Sequence, residues 1–310
     1  MPAVSATAVR PAARLVEVAD AVFAYVQHDG GWWVNTTGFV VGRRQVLAID
    51  SCATEERTTA LLSVIGQTST APVRTLLNTH HHGDHTHGNY LFEDAVVVGH
   101  DECRTGVLDD SVLDGLPPVF EPMPRWGAVR KAPPTLTFAD RLTLWLDDLE
   151  VDVRHAGAPA HTHGDAVVWI PERDVLFTGD LAFNGGTPLL VSGSVTGYLR
   201  ALEVVAGINA TTVVPGHGAP CGPEIFAVLA GYAELVLRTA VGARAAGLTP
   251  LEAARETDLG DFAALHDPER LVLNLHRAYL DLAGGGDLDY AAAFADAVAY
   301  NGGRRLRCTA

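Results

Sequence analysis

The stretch NTHHHGDHTHGN, residues 78–89, decides the fold of this 310-residue chain. It directly follows an apolar run, VRTLL (73–77), which predicts a buried strand. In an extended segment residues i and i+2 point the same way, so His80 and His82 can aim at one point while His81 points away. Because the sheets of α/β proteins present their ligands where strands end, this position predicts a functional site.

The same stretch offers a second group of side chains next to the first. Gly83 allows the chain to turn, and Asp84 and His85 can then address a second point nearby. Neutral imidazoles suit zinc, and a carboxylate suits a harder or bridging position. Ligand-type side chains this close together, after an apolar strand and before a Gly-Asn turn, predict a metal site.

Three later residues have the same character as the cluster. His161 lies in GAPAHTHGD, Asp180 lies in VLFTGDL, and His217 lies in TTVVPGHG. Each follows or ends a strand-like run and is flanked by glycine or proline. Each would be a weak signal alone, but together and in this order they extend the predicted metal site.

On the H-x-H-x-D-H run, the later histidines and the TGD aspartate, the chain resembles the metallo-β-lactamase superfamily over roughly residues 15–220. The resemblance implies an α/β fold, an αββα sandwich of two facing sheets with helices outside and metals in a groove at one edge. It also implies that one ion is bound by His80, His82 and His161, that a second is bound by Asp84, His85 and His217, and that Asp180 bridges them.

The implied cofactor is a pair of Zn²⁺ ions, although the same ligand set accepts iron or manganese. Two ions about 3.5–4 Å apart share a water and lower its pKa toward neutrality, which suits attack on a carbonyl carbon. The family assigns proton guidance to the aspartate at the position of Asp84, which is therefore the predicted catalytic residue.

The pattern of the chain predicts three parts. Residues 1–14 read as a flexible tail, 15–222 as the metallo-β-lactamase domain, and 223–310 as a C-terminal helical extension. In the last part, Thr249 followed by Pro250 and Glu252 predicts a capping box. These helices are expected to cover the groove or to form a homodimer contact.

Composition limits the partners. The formal net charge of −15 argues against nucleic acid, because such a surface repels phosphate backbones. No uninterrupted apolar stretch of about 18 residues occurs, so no membrane partner is expected. Residues 1–14 lack the apolar run of a secretory signal, which predicts a cytoplasmic location.

Two features leave alternatives open. The proline-rich segment 109–135 has no clear period, and it reads either as a surface excursion or as a flap that offers Phe120, Met123 and Trp126 to a substrate. Asp50, at the end of a strand-like run, either caps a turn or accepts a hydrogen bond from a ligating histidine.

The resulting functional prediction is hydrolysis of a small or carrier-bound thioester, ester or lactone. An aspartate at position 180 differs from the superfamily's antibiotic-degrading β-lactamases, and the lysine-free C-terminal part argues against glutathione as the carrier. Three alternatives remain: a β-lactamase, an iron enzyme of the same fold, and a binding module dominated by the helical region. The iron enzyme would be either a mononuclear oxygenase that uses His80, His161 and Asp180, as persulfide dioxygenases do, or a di-iron oxidoreductase.

Overall fold

The computed structural model describes residues 13–28, 30–115, 117–157 and 159–310. Most of the predicted tail, residues 1–12, lies outside these ranges, and Arg14 already belongs to the first strand rather than to a tail. In chain order the described strands are β1 (Arg14–Ala19), β2 (Val22–Val26), β3 (Thr36–Val41), β4 (Val46–Ile49), β5 (Val73–Leu77), β6 (Val96–His100), β7 (Phe120–Glu121), β8 (Leu136–Phe138), β9 (Arg141–Leu146), β10 (Leu149–His155), β11 (Ala166–Ile170), β12 (Val175–Phe183), β13 (Thr212–His217) and β14 (Leu306–Arg307). The α-helices in the same ranges are α1 (Glu55–Thr68), α2 (Gly83–Thr86), α3 (Asp101–Asp109), α4 (Val195–Ala206), α5 (Glu224–Ala245), α6 (Pro250–Glu256), α7 (Arg270–Leu282) and α8 (Tyr290–Tyr300).

Two mixed sheets pack face to face. Across the described residues the first sheet has the order β1-β2-β3-β4-β5-β6-β8 and the second has the order β13-β12-β11-β10-β9. Buried side chains fill the space between them, among them Leu47 and Leu77 from the first sheet and Val168 and Phe177 from the second. Helix α1 covers the outer face of the first sheet, and α4, α5 and α7 cover that of the second. This is the αββα sandwich with C-terminal helices that the resemblance implied.

Threonine side chains cap the first turns of α1 and α6. Thr54 accepts a hydrogen bond from the backbone N–H of Arg57 at the start of α1, and thereby satisfies one of the unpaired donors of the first turn. The predicted capping box is present at α6, where Thr249 and Glu252 bond each other's backbone N–H groups.

The region after the second sheet is helical, as predicted, and it packs on that sheet. Helix α5 is long and apolar enough, by length and composition, to cross a bilayer. Its residues Leu229 and Val236 instead lie in the same buried cluster as Leu202 of α4 and Leu271 of α7. The C-terminal helices therefore share a core with the sheet that carries Asp180.

The segment 109–135 is held against the body of the protein. β7 in this segment pairs in parallel with β14 near the end of the chain. Phe120 is fully buried against Trp32, and Trp126 packs edge-on against Trp33. The flap interpretation is therefore wrong for Phe120, because a side chain enclosed in the core cannot contact a substrate.

Candidate metal centre

The fold brings the seven predicted ligands together at one edge of the sandwich. His80 and His82 follow the end of β5, while Asp84 and His85 lie on the short helix α2 that the chain forms next. The others come from the connection between β10 and β11, from β12, and from the last residue of β13: His161, Asp180 and His217. Two groups result, and within each group the ligand atoms lie within 4.8 Å of one another: His80, His82, His161 and Asp180 in the first, and Asp84, His85 and His217 in the second.

Asp180 lies between the two groups. Its Oδ2 is 3.3 Å from His161 Nε2 and 3.9 Å from His80 Nε2, both in the first group. Its carboxylate also lies 3.0 Å from His85 Nε2 and 3.3 Å from His217 Nε2, both in the second. A single carboxylate thus faces histidines on both sides, which is the geometry that a bridging ligand needs.

The outer nitrogens of the first group's histidines have hydrogen-bond partners. His161 Nδ1 bonds the carbonyl oxygen of Leu189, and His82 Nε2 lies 3.0 Å from Ser192 Oγ. His80 Nδ1 lies 3.1 Å from Thr79 Oγ1. A histidine whose outer N–H donates to such a partner is held in one tautomer, with the lone pair of its other nitrogen facing inward.

The second group is oriented by different partners. Asp50 Oδ2 lies 2.8 Å from His85 Nδ1 and also accepts a hydrogen bond from Thr79 Oγ1. Of the two interpretations of Asp50, the structure therefore favours the one in which it accepts a hydrogen bond from a predicted ligand. His217 Nδ1 donates to the carbonyl oxygen of Gly30 at 3.0 Å. Asp50 has a φ of 61°, a left-handed conformation that aspartate tolerates better than most residues.

Burial and charge act against each other on the titratable groups. Burial lowers the pKa of His80 and His82 well below the ordinary value, so both rings are neutral and can offer a lone pair. Burial also acts to lower the pKa of His217, but Asp180 and Asp84 raise it to about 9. Burial acts to raise the pKa of both aspartates, yet the surrounding histidines bring each well below its usual range, so both are ionised.

Buried polar atoms without hydrogen-bond partners test whether cations fit this centre. His80 Nε2, His85 Nε2 and Asp180 Oδ1 are all buried and make no hydrogen bond, although the last two lie 3.0 Å apart. Leaving such atoms unpaired costs free energy, so each needs a partner that the side chains do not supply. Imidazoles in the neutral form and ionised carboxylates are the donor set that divalent cations take. His80 and His82 are already neutral, whereas His85 and His217, whose pKa values the aspartates raise, would release a proton when a cation binds. The centre therefore fits metal ions.

Other residues singled out from the sequence lie elsewhere. His81 points away from both groups, as predicted, and its ring approaches Gly106 of α3. His163 is exposed, and Cys221 is a half-buried free thiol that belongs to neither group. Sequence reasoning missed Leu189 and Ser192, because a backbone carbonyl and a lone serine in a loop carry no recognisable signal.

A model of the metallo-β-lactamase superfamily matches residues 30–217, which is more than half of the chain. The chain therefore belongs to the metallo-β-lactamase superfamily and is an enzyme of that superfamily. Helices α5 to α8 lie outside the matched residues.

Individual relatives differ in name and in coverage. The chain is 27% identical over 221 residues to the metallo-β-lactamase type 2 of Bacteroides fragilis, a match that covers 68% of this chain and 82% of that protein. It is 30% identical over 169 residues to the Homo sapiens acyl-coenzyme A thioesterase MBLAC2, but this match covers 50% of this chain and 60% of the relative, less than two thirds of its length. Among solved structures, a metallo-β-lactamase from Pontibacter korlensis matches with a TM-score of 0.60 at 18% identity, over 72% of this chain and 99% of that one, which shows a shared fold.

Proposed function

We propose that the protein is a dinuclear metal-dependent hydrolase that cleaves a thioester, ester or lactone, and that its two ions are zinc. The observation that carries this proposal is the carboxylate of Asp180, which lies within 4 Å of two histidines in each ligand group. A site for a single ion would not need a second complete group, Asp84, His85 and His217, on the far side of that carboxylate.

The proposed chemistry divides between the ions and the chain. When bound, two divalent ions supply Lewis acidity, which polarises a carbonyl group and acidifies water near neutral pH. Asp84 is ionised and lies 3.3 Å from His217 Nε2, so its carboxylate can accept a hydrogen bond from a nucleophilic water and orient it. The hydrogen bonds from His85 to Asp50 and from His217 to Gly30 keep the inner nitrogens of both rings turned toward the reacting groups.

One observation supports an acyl substrate, and a second argues against a different class of substrate. The human relative is named as an acyl-coenzyme A thioesterase. An acyl-coenzyme A is a carrier-bound acyl thioester, which is one of the substrate classes that we propose. The net charge of −15 disfavours nucleic acid, the substrate of other metal-dependent hydrolases. The relative from Bacteroides fragilis is named as a metallo-β-lactamase, so a β-lactam belongs in the same test as the alternative substrate.

The experiment is metal quantification followed by a substrate panel on the same sample. We expect close to two zinc ions per chain and hydrolysis of a model thioester, ester or lactone in preference to a β-lactam. His82→Ala and Asp180→Ala should be inactive, whereas Asp148→Ala, at the exposed hairpin turn at the other end of β10 from the site, should be fully active.

Each part of the proposal can fail separately. Full activity in either site variant would refute metal-dependent hydrolysis. One or two iron ions with visible absorption would overturn the assignment of zinc and favour the iron oxygenase or oxidoreductase. A preference for the β-lactam would overturn the proposed acyl substrate.

A further inference from the structure

Helix α7 carries a stripe of polar residues on a buried face. Arg270, Asn274, Arg277 and Asp281 follow one another at intervals of four, three and four residues, so they share one side of the helix. Arg270 is 2% exposed and Asn274 is fully buried. Because buried polar groups cost free energy unless they are hydrogen-bonded, a stripe of this kind needs partners along its whole length.

Arg270, Asn274 and Asp281 find partners in one stretch of chain, residues 187–195, which we call the bracket segment. Arg277 instead donates to Asp281 and to the carbonyl oxygen of Gly286. Arg270 Nη1 donates to the carbonyl oxygen of Thr187 at 2.9 Å. At the other end, the carboxylate of Asp281 accepts from the N–H of Val195 at 2.8 Å and from the hydroxyl of Ser194 at 3.1 Å. The stripe therefore holds the bracket segment at both ends.

Asn274 holds the middle of the bracket segment from two sides. Its Nδ2 donates to the carbonyl oxygen of Pro188, and its Oδ1 accepts from the N–H of Leu190, both at 2.8 Å. These two bonds flank Leu189 and fix both of its peptide groups. An amide side chain is suited to this position because it offers a donor and an acceptor together.

The bracket segment in turn orients two histidines of the first ligand group. The carbonyl oxygen of Leu189 bonds His161 Nδ1, and Ser192 Oγ lies 3.0 Å from His82 Nε2. His82 Nδ1 and His161 Nε2 then lie 2.8 Å apart, both on the inner side of the group. The second group has no hydrogen bond to this segment among the described residues, since its histidines bond Asp50 and Gly30.

We propose that the polar stripe of α7 positions the first ligand group, with Asn274 as the positioning residue and the bracket segment as the connection to His161 and His82. The C-terminal helices then set the affinity for one ion and leave the other unaffected. This inference rests on the proposed dinuclear site, because it assigns different supports to its two halves.

The test is a zinc titration of metal-free protein against a competing chelator, which measures both stepwise affinities without any assay of activity. Asn274→Ala should weaken the binding of one ion by about tenfold and leave the binding of the other unchanged. This is the lower end of the usual loss for a direct partner of a ligating histidine, because Asn274 acts on His161 only through Leu189. The ion that Asn274→Ala binds more weakly should be the ion that His161→Ala no longer binds, and not the ion that His217→Ala no longer binds.

Two further variants separate positioning from folding. Tyr232→Phe is the matched control. The Tyr232 hydroxyl accepts a hydrogen bond from Asn274 Nδ2 at 3.2 Å, and among the described residues it makes no hydrogen bond to the bracket segment. Tyr232→Phe should leave both zinc affinities unchanged. Ser192 contacts the first ligand group through His82 and lies outside the helical core. Ser192→Ala should therefore weaken the binding of the same ion as Asn274→Ala does.

The outcomes distinguish this inference from the proposed function. If wild-type protein binds no pair of ions, the proposed function fails. If wild-type protein binds two ions, and Asn274→Ala lowers both affinities equally or lowers neither, the inference alone is wrong. If Asn274→Ala does not fold, Ser192→Ala decides, and unchanged affinities in that variant would overturn the inference.

Discussion

The two halves of the metal centre are supported by different ends of the chain. The histidines of the second group bond Asp50 and Gly30, which precede the central motif in sequence. Two histidines of the first group bond Leu189 and Ser192, in a stretch that α7 holds from near the C-terminal end. The residues matched by the superfamily model contain all the supports of the second group but end before α7.

This difference shows how a shared site can depend on an appended region. The seven proposed ligands lie within the matched domain, so the domain alone carries the donor atoms. The orientation of some of them nevertheless depends on buried hydrogen bonds from outside it. Variants of the shared carboxylate, of each support and of the surrounding helices should therefore give distinct patterns of metal loss.

The largest effect is expected for the carboxylate that both groups share. Asp180→Asn keeps the shape of the side chain but removes its charge and one acceptor oxygen. Because Asp180 faces histidines of both groups, both ions should bind more weakly, and kcat/KM should fall by more than about 100-fold, beyond the usual loss for a partner of a ligand. Zinc titration and steady-state kinetics measure the two effects. Loss of only one ion would mean that Asp180 belongs to a single group.

A smaller and more selective effect is expected at Asp50. Asp50→Asn replaces the acceptor of the His85 Nδ1–H bond, and asparagine tolerates the left-handed backbone at this position. The affinity for the ion of the second group should fall by about 10–100-fold. The affinity for the ion of the first group should fall by less, since Asp50 is linked to His80 only through Thr79. The measurement is the same chelator titration.

Asp174→Asn is the matched control for this prediction. Asp174 also has a left-handed backbone, with a φ of 53°. Its carboxylate accepts hydrogen bonds from the N–H and the hydroxyl of Thr211, and neither residue is one of the proposed ligands. The control should leave both zinc affinities unchanged. A larger loss at the first group than at the second in Asp50→Asn would contradict the division of supports.

The sequence predicted that seven ligand-type residues form one cluster, because they follow strand-like runs in an order that a known family shares, and the structure brings these residues together. Asp180 nevertheless lies inside β12 rather than at its end. The sequence also predicted the sandwich and the capping box at Thr249, since these follow from local pattern and from that resemblance. Asp50 remained ambiguous because a carboxylate at a strand end suits a turn as well as a histidine. Its contact with His85 joins residues 35 positions apart.

What the sequence did not predict depends on pairing between distant parts of the chain. One of the two interpretations of segment 109–135 offered Phe120 to a substrate, but β7 pairs with β14, and no local pattern predicts a partner so far away. Asn274 is an ordinary helical asparagine by sequence, and only the fold reveals that it brackets Leu189. Supports made of backbone carbonyls and long-range amides therefore have to be found in the structure.

The smallest effect should come from a variant that loosens the helical region without touching the stripe. Thr249→Ala removes the capping box of α6, whose Ala253 and Ala254 pack in the same buried cluster as Leu271 of α7. The free energy of unfolding should fall by about 1 kcal/mol, the usual cost of losing such a cap, while both zinc affinities stay unchanged. Denaturant unfolding and the chelator titration check the two statements on one sample. If Thr249→Ala weakened the ion of the first group as Asn274→Ala does, general stability of the helices would account for that group's support, and the hydrogen bonds of Asn274 would have no specific role.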